Sequence, residues 1–397
     1  MADTSAEKER SRQAEAARID IAILSRRELL RRSGIGLLTI GVAPALLAGC
    51  GGGDEAAAPK ATGTIDFLSF EGYDLPDQTA AWRKENGVEF NSTYIVANED
   101  IPPKLKVGGA AYDLSYYGVG FKDGWAPLGL WLPIDEAKVP NIEKLFPFFK
   151  SDVLNAWVDP DGTRTGVPFT WGSVGLTWDD AALPGGLESF YDLLDPKFKD
   201  KIGLPDDAPS NFVLAVRMLG YDTTTLTQDQ YKEVTDLLRQ FVKQAKTVSP
   251  GYGDVASLLA SGEIVAAFSG WAAINSFAAG AGKDTVKTSI PKEGGYSFAD
   301  AYMVASTADN ADTVLAFINH VLEPEVNAAA ADFLVGGVTV EGSVELLSPA
   351  TASLYSYENI EASFERAPLF KLPPFESDQY VTYQDWLDTW AELKAGA

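Results

Sequence analysis

Residues 167–179 read VPFTWGSVGLTWD, a long extended run rich in Val, Thr, Phe and Trp. A second extended run lies at 291–304, PKEGGYSFADAYMV. There two glycines precede Tyr296, Phe298 and Asp300, whose spacing of two puts all three on one face of a strand. Segments alternating between strand and helix flank both runs. Two α/β regions joined by two such crossings make two lobes with a cleft between them, and small-molecule sites favour that position.

Outward from the crossings the rhythm is regular. TIDFLSF (64–70), VEFNSTYIV (88–96) and YDLSYY (112–117) read as strands, separated by helices over Leu75–Asn86 and Pro102–Lys106. That order predicts a parallel sheet with helical cover. Beyond 179 the pattern predicts a short strand before Asp206-Asp207, helices at Asn211–Leu219 and Gln228–Lys246, and a strand at Ile264–Ser269. A helix from Ala272, a strand near Val286–Ile290 and helices at Asp312–Val321 and Glu325–Leu334 follow. Trp386 and Trp390, at i and i+4 of a closing helix, read as core packing.

The 397 residues carry a net charge of −24, with 46% hydrophobic and 22% charged positions. Eight Lys/Arg and six Asp/Glu precede Ser33, so the rest holds 24 against 50, a net of −26. An acidic body argues against nucleic acid and anionic lipid as partners and is compatible with a cationic ligand. One cysteine, Cys50, and one histidine, His320, exclude an internal disulfide and a Cys/His metal cluster. His320 closes an apolar helical pattern, where an imidazole suits the helix dipole.

The amino terminus reads as an address. SRRELLRR (25–32) precedes an apolar run of thirteen residues, Ile35 to Leu47, too short to span a bilayer as a helix. Arg26-Arg27 resembles a twin-arginine export signal. LAGC (47–50) resembles a lipobox, with Cys50 the lipid-modified first residue of the mature chain. Residues 1–50 are thus expected to be a signal peptide and 51–63 a flexible tether.

The body resembles the polyamine (spermidine/putrescine) solute-binding proteins of ABC importers over essentially the whole mature chain. The resemblance rests on YDLSYYG (112–118), LPIDEAKVPNIEKL (132–145), the 167–179 run, LLDPKFKDKIGLPDD (193–207), LASGEIVAAFSG (259–270), IPKEGGYSFADAYMV (290–304) and FINHVLEPEV (317–326). It implies the two-lobed α/β fold of type II periplasmic binding proteins, each lobe a mostly parallel sheet covered by helices. Residues 64–168 with 299–345 would form one lobe and 169–298 with 346–397 the other. It further implies a monomer that binds a small cationic solute and hands it to permease subunits, and with the lipobox reading the chain is expected to be exported and lipid-anchored at the outer face of the cytoplasmic membrane, or in the periplasm.

Position by position, the resemblance places the ligand-binding aromatic pair on Phe70 and Tyr73, a strand aromatic on Phe268, and an aromatic–carboxylate pair on Phe298 and Asp300. An acidic-loop aspartate falls on Asp207, while the second acid of that loop is Ser210 here. A Ser and a Tyr of the family are Gly118 and Gly120, and a polar tail residue falls near Glu376. Trp171, near the crossing, is placed either to line the cleft or to pack the hinge, and Trp271, just past Phe268, is a further candidate for the cleft wall. Rings that sandwich an aliphatic stem and carboxylates that meet its ammonium groups suit such a solute.

Catalytic signatures fail. In WGSVG (171–175) the serine directly follows glycine, so it is no nucleophile elbow. GVGFKDG (118–124) lacks dinucleotide-binding spacing, and GGGDE (51–55) is not followed by the Lys-Ser/Thr of a phosphate loop. No cofactor, metal or catalytic residue is expected. The competing readings are the same kind of binding protein for a zwitterionic, amino-acid-like or sugar solute, and an exported hydrolase using paired carboxylates.

Overall fold

The computed structural model describes residues 61–396, apart from 96, 107–110, 151–155 and 160. The expected export signal, with Arg26, Arg27 and Cys50, and most of the tether lie outside the described residues. The last tether positions do not hang free. Ala61 is buried, the Thr62 amide donates to Thr313 Oγ1 at 3.1 Å, and Gly63 opens the first strand.

Strand β1 (Gly63–Ser69) pairs in parallel with β2 (Val88–Tyr94) and with β3 (Leu114–Gly118). Helix α1 (Ala80–Asn86) joins the first two and stops at Gly87, which adopts the left-handed conformation. The helix expected from Leu75 starts five residues later, because residues 70–75 form turns instead. The Tyr73 amide bonds the Phe70 carbonyl, the Leu75 amide bonds that of Gly72, and Leu75 itself has φ of 50°. Asp74 fixes this loop by accepting from Ser92 Oγ and the Tyr94 hydroxyl. Helix α2 (Ile101–Lys106) follows β2 after a single turn at Asn98–Asp100.

Strand β4 (Val167–Asp179) occupies the whole first crossing. After it come β5 (Ile202–Pro205), α3 (Ala208–Met218), α4 (Gln228–Gln244), β6 (Thr247–Ser249) and α5 (Tyr252–Ser261). Then follow β7 (Ala266–Trp271), α6 (Ala272–Gly280), β8 (Val286–Ser289) and the second crossing, β9 (Tyr296–Val304). Helices α7 (Ala311–Val321), α8 (Pro324–Leu334), α9 (Ile360–Arg366) and α10 (Tyr383–Ala395) complete the fold.

Among the described residues the strands run β2-β1-β3-β9-β4-β7-β5-β6, with β8 also on β4. The outer groups are parallel: β1 with β2 and β3, and β5 with β6 and β7. The crossings are antiparallel to each other from Val167↔Tyr302 to Val174↔Tyr296. The far half of β9 pairs with β3, and the far half of β4 pairs with β7 and β8. Each long strand therefore leaves one parallel group and enters the other. This is the two-lobed α/β architecture that the two runs predicted.

One apolar cluster runs across the two parallel groups, joining Tyr116, Phe121 and Trp125 to Phe212, Phe268 and Trp386. In the first lobe, Phe67, Phe149, Trp171, Phe169 and Phe317 share a buried cluster. Ile360 and Phe364 of α9 belong to it, and Phe364 stacks on Phe148 at 4.2 Å. The stretch after 346 thus packs first with the lobe expected to end at 345, because the i, i+4 apolar pair of α9 needs a partner there. Residues 368–370 then run beside β9 through bonds at Ser297, and α10 reaches the second lobe. There Trp386 stacks on Phe212 of α3 at 5.0 Å, and Trp390 donates to Asp206 Oδ1 at 2.7 Å.

Candidate functional site

Strand β9 carries Tyr296, Phe298 and Asp300 toward the junction of the lobes. Phe298 sits opposite Gly172 of β4, and a Cβ built there would lie 2.6 Å from the ring. The ring therefore lies across the glycine. Trp271, the last residue of β7, meets Phe298 edge to face at 5.2 Å. Both rings are half-buried and so keep a face available.

The first lobe supplies the other wall. Phe70 directly follows β1, and Tyr73 stands in the same turn. Their rings lie 6.0 Å apart, and Tyr116 of β3 packs 5.4 Å from Phe70 and 5.2 Å from Tyr73. Tyr302 holds the turn in place by donating its hydroxyl to the Tyr73 carbonyl at 2.5 Å.

Asp300 lies between these walls, 7% exposed. The Tyr73 hydroxyl donates to its Oδ2 at 2.5 Å. Gly118 faces the other oxygen, since a Cβ there would come within 3.1 Å of Asp300 Oδ1. Burial pushes the Asp300 carboxyl up to about 7, with the Tyr73 hydrogen bond opposing the shift. Tyr73 is pushed well above the ordinary phenol range by its own burial and then by the Asp300 charge, so it remains a donor.

Asp207 does two jobs on the opposite side. It caps α3 by accepting the Ser210 amide at 3.1 Å. Its Oδ2 also accepts Ser210 Oγ at 2.6 Å and the Tyr252 hydroxyl at 2.8 Å. Ser210 Oγ is hydrogen-bonded in turn to the Tyr296 hydroxyl, so the serine joins the acidic loop to β9. Asp206, its neighbour, points away to Trp390 and to Lys394 Nζ at 2.7 Å. Only Asp207 of the acidic pair is turned to the cleft.

Two expected wall residues belong elsewhere. Phe268 is fully buried, 5.1 Å from Phe190 and 4.3 Å from Phe241 under α4. A β-bulge between Ala267 and Gly270 interrupts the alternation of β7, and it is the packing under α4 that removes this ring from the cleft wall. Trp171 is 1% exposed; its indole donates to the Val338 carbonyl at 2.9 Å, and Phe364 lies 5.1 Å away. It packs the hinge, on the face of β4 opposite to Gly172. Glu376 is exposed. The structure thus brings Phe70, Tyr73, Phe298, Asp300, Trp271 and Asp207 to one region.

Several residues there carry no sequence signature. Tyr116 lies inside an apolar strand pattern that also describes core, and Tyr252 stands between two glycines with nothing to mark it. Phe370 fills the space that Gly120 leaves, since a Cβ at 120 would be 2.1 Å from its ring, and it packs 5.2 Å from Tyr296. Phe375 fills the space at Gly124 in the same way. Gly120 and Gly124 of GVGFKDG are therefore sockets for two rings of a distant segment. Tyr383 donates to the Glu99 carboxylate across the junction of the lobes.

The family described as Bacterial extracellular solute-binding protein matches residues 78–356. The chain is 27% identical over 347 residues to the Spermidine/putrescine-binding periplasmic protein of Escherichia coli K12, covering 87% of this chain and 95% of that one. It is 29% identical over 286 residues to a Putrescine-binding periplasmic protein of the same organism, covering 68% and 76%. A putative spermidine/putrescine ABC transporter structure from Listeria monocytogenes superposes with a TM-score of 0.72 at 22% identity, covering 84% and 99%. The Tp0655 lipoprotein of Treponema pallidum gives 0.70 at 20% identity, covering 84% and 100%. These two structures share the fold, and the matched span of 78–356, most of the described chain, places this protein in the bacterial extracellular solute-binding protein family.

Proposed function

We propose that this chain is the receptor of an ABC importer for a linear polyamine, spermidine or putrescine, captured between its lobes and passed to the permease. The family is a class of transport receptors, not of enzymes, and its members work outside the cytoplasm. The observation that carries the ligand reading is Asp300, a buried carboxylate held by one tyrosine hydroxyl between aromatic walls.

That arrangement suits an ammonium group on an aliphatic stem. A buried carboxylate without a cation is costly, and so is a buried ammonium without a carboxylate; each relieves the other. A cation over the face of Phe298 or Trp271 gains about 0.5–2 kcal/mol, and each methylene buried between rings about 0.8 kcal/mol. Asp207 supports a second positive group through a carboxylate already ordered by Ser210 and Tyr252. Closure of the lobes by a hinge motion about β4 and β9 would complete the cage.

The lobes meet at β4 and β9, the protein acts as a monomer, and Arg26-Arg27 direct export. Cys50 carries the lipid that keeps the receptor at the membrane; Cys50→Ser should move it from the membrane to the soluble fraction.

A thermal-shift panel of spermidine, putrescine, amino acids, betaines and sugars tests the ligand class. A ligand at about 100 times its Kd stabilises by about 2.7 kcal/mol, a readable shift. Stabilisation by polyamines and not by sugars or betaines is the expected result. Equal shifts from sugars would overturn it.

A further inference from the structure

Glu99 stands in the turn between β2 and α2, with no motif to mark it. Its carboxylate accepts the hydroxyl of Tyr383, the first residue of α10, which packs on the helices of the other lobe. Next to it, Asn98 Oδ1 accepts the Tyr116 hydroxyl. Tyr116 packs 5.2 Å from Tyr73, and Tyr73 holds Asp300. Glu99 and its neighbour Asn98 are thereby tied through Tyr383 and Tyr116 to the aromatic wall that holds Asp300.

Electrostatics agrees with this geometry. Burial raises the Tyr116 phenol most, and the charges of Asp300, Glu99 and Asp207 raise it further. Tyr383 is raised by burial and then by Glu99 and Asp207. Three carboxylates from three separate elements thus act on Tyr116, and two of them, Glu99 and Asp207, act on Tyr383 as well. Hydroxyl and amide groups hold them: Asp207 takes three such donors from Ser210 and Tyr252, Asp300 takes Tyr73, and Glu99 takes Tyr383.

We propose that Glu99 is a third anchoring carboxylate and sets the charge number of the solute, so that a linear trication is preferred to a diamine. This rests on the reading of the cleft as a polyamine site. A trication meets Asp300, Asp207 and Glu99 together, whereas a diamine leaves one carboxylate without a cation. Tyr383 orients the Glu99 carboxylate and links the anchor to the lobe that must close.

Calorimetric titration of the full chain with spermidine, putrescine and n-butylamine tests it, using the wild type, Glu99→Gln and Tyr383→Phe. Glu99→Gln should weaken spermidine by about tenfold or more and putrescine by less than about threefold. Tyr383→Phe keeps the carboxylate and should preserve the preference for spermidine. Three results would overturn the proposal: unchanged spermidine affinity in Glu99→Gln, an equal loss for both amines, or a Tyr383→Phe variant that copies Glu99→Gln. The last two would make the pair a clasp between lobes, and a lowered Tm with unaltered preference would say the same. A wild type that binds putrescine but not spermidine removes Glu99 alone, and one that binds no amine removes the polyamine reading with it.

Discussion

Tyr73 donates its hydroxyl to Oδ2 of Asp300 at 2.5 Å, joining residues 227 positions apart. The bond makes a turn of the first lobe the only side-chain hydrogen-bond partner given to the buried carboxylate of β9 among the described residues. Asp300→Asn should therefore weaken polyamine binding by about tenfold or more, since it removes the charge and keeps the shape. The unliganded variant should be no less stable than the wild type at about pH 8, where the wild type must bury a charge. Titration calorimetry and thermal unfolding read the two effects, and unchanged affinity would remove Asp300 from the site.

The raised carboxyl makes binding depend on pH. Asp300 titrates near 7 in the folded protein and near about 3.9 when unfolded. Between these values the folded state holds the extra proton, so its contribution to unliganded stability is complete below about 4 and is lost as pH rises through 7. A cationic ligand selects the carboxylate, so affinity should rise toward neutrality and level off above it. From about pH 5 to about pH 8 the Kd should fall by one to two orders of magnitude, about tenfold per unit below 7. Asp300→Asn should flatten the profile; a flat wild-type profile would rule out titration of this group.

Tyr73→Phe separates the hydroxyl from the ring. The bond lowers the Asp300 carboxyl against the effect of burial. Without it the carboxyl should titrate higher, and the pH at which polyamine binding levels off should move upward. The packing of the ring on Phe169, 5.1 Å away, should survive. An unmoved profile in the calorimeter would show that Tyr73 acts as packing alone.

Phe268 and Phe298 should respond in opposite ways. Phe268→Ala empties a site between Phe190 and Phe241 and should cost about 3–5 kcal/mol of stability. Its ligand affinity should change little once the folded fraction is accounted for. Phe298→Ala removes a half-buried ring and should cost affinity more than stability. Chemical denaturation with parallel titration distinguishes them, and a selective loss of affinity in Phe268→Ala would return that ring to the cleft wall.

The same pair shows what was legible in the sequence. Period two put Tyr296, Phe298 and Asp300 on one face, and they share it. Long unbroken β-forming runs marked both crossings, and period 3.6 marked α4 and α7. Phe268, expected at the cleft wall from the resemblance, is buried between Phe190 and Phe241, and Trp171, open between cleft and hinge from its place near the crossing, takes the packed alternative. Trp171 is adjacent to Gly172 and so lies on the other face of β4, whereas the β-bulge of β7 between Ala267 and Gly270 removes parity as a guide to Phe268. Glu99 and Tyr383 were out of reach for a different reason. They meet across 284 positions, and an isolated Glu in a turn looks like any solvated charge. The helix expected from Leu75 was shortened by side-chain bonds to Asp74 that no local period encodes.

Gly120 provides the last test, because its missing side chain is occupied by another part of the fold. A Cβ there would lie 2.1 Å from the Phe370 ring, well inside contact distance. Gly120→Ala should then destabilise by about 1–3 kcal/mol through overpacking. The displaced ring would push on Tyr296, 5.2 Å away, whose hydroxyl meets Ser210 beside Asp207. Affinity should fall together with stability. Phe370→Ala vacates the socket and carries its own cost, but adding it to Gly120→Ala should remove the clash. The double variant should be more stable than the sum of the single losses predicts, with a coupling of about 0.5–3 kcal/mol in a double-mutant cycle. Strict additivity would mean that the ring does not depend on the glycine, and that the segment through Phe370 could move without disturbing Tyr296.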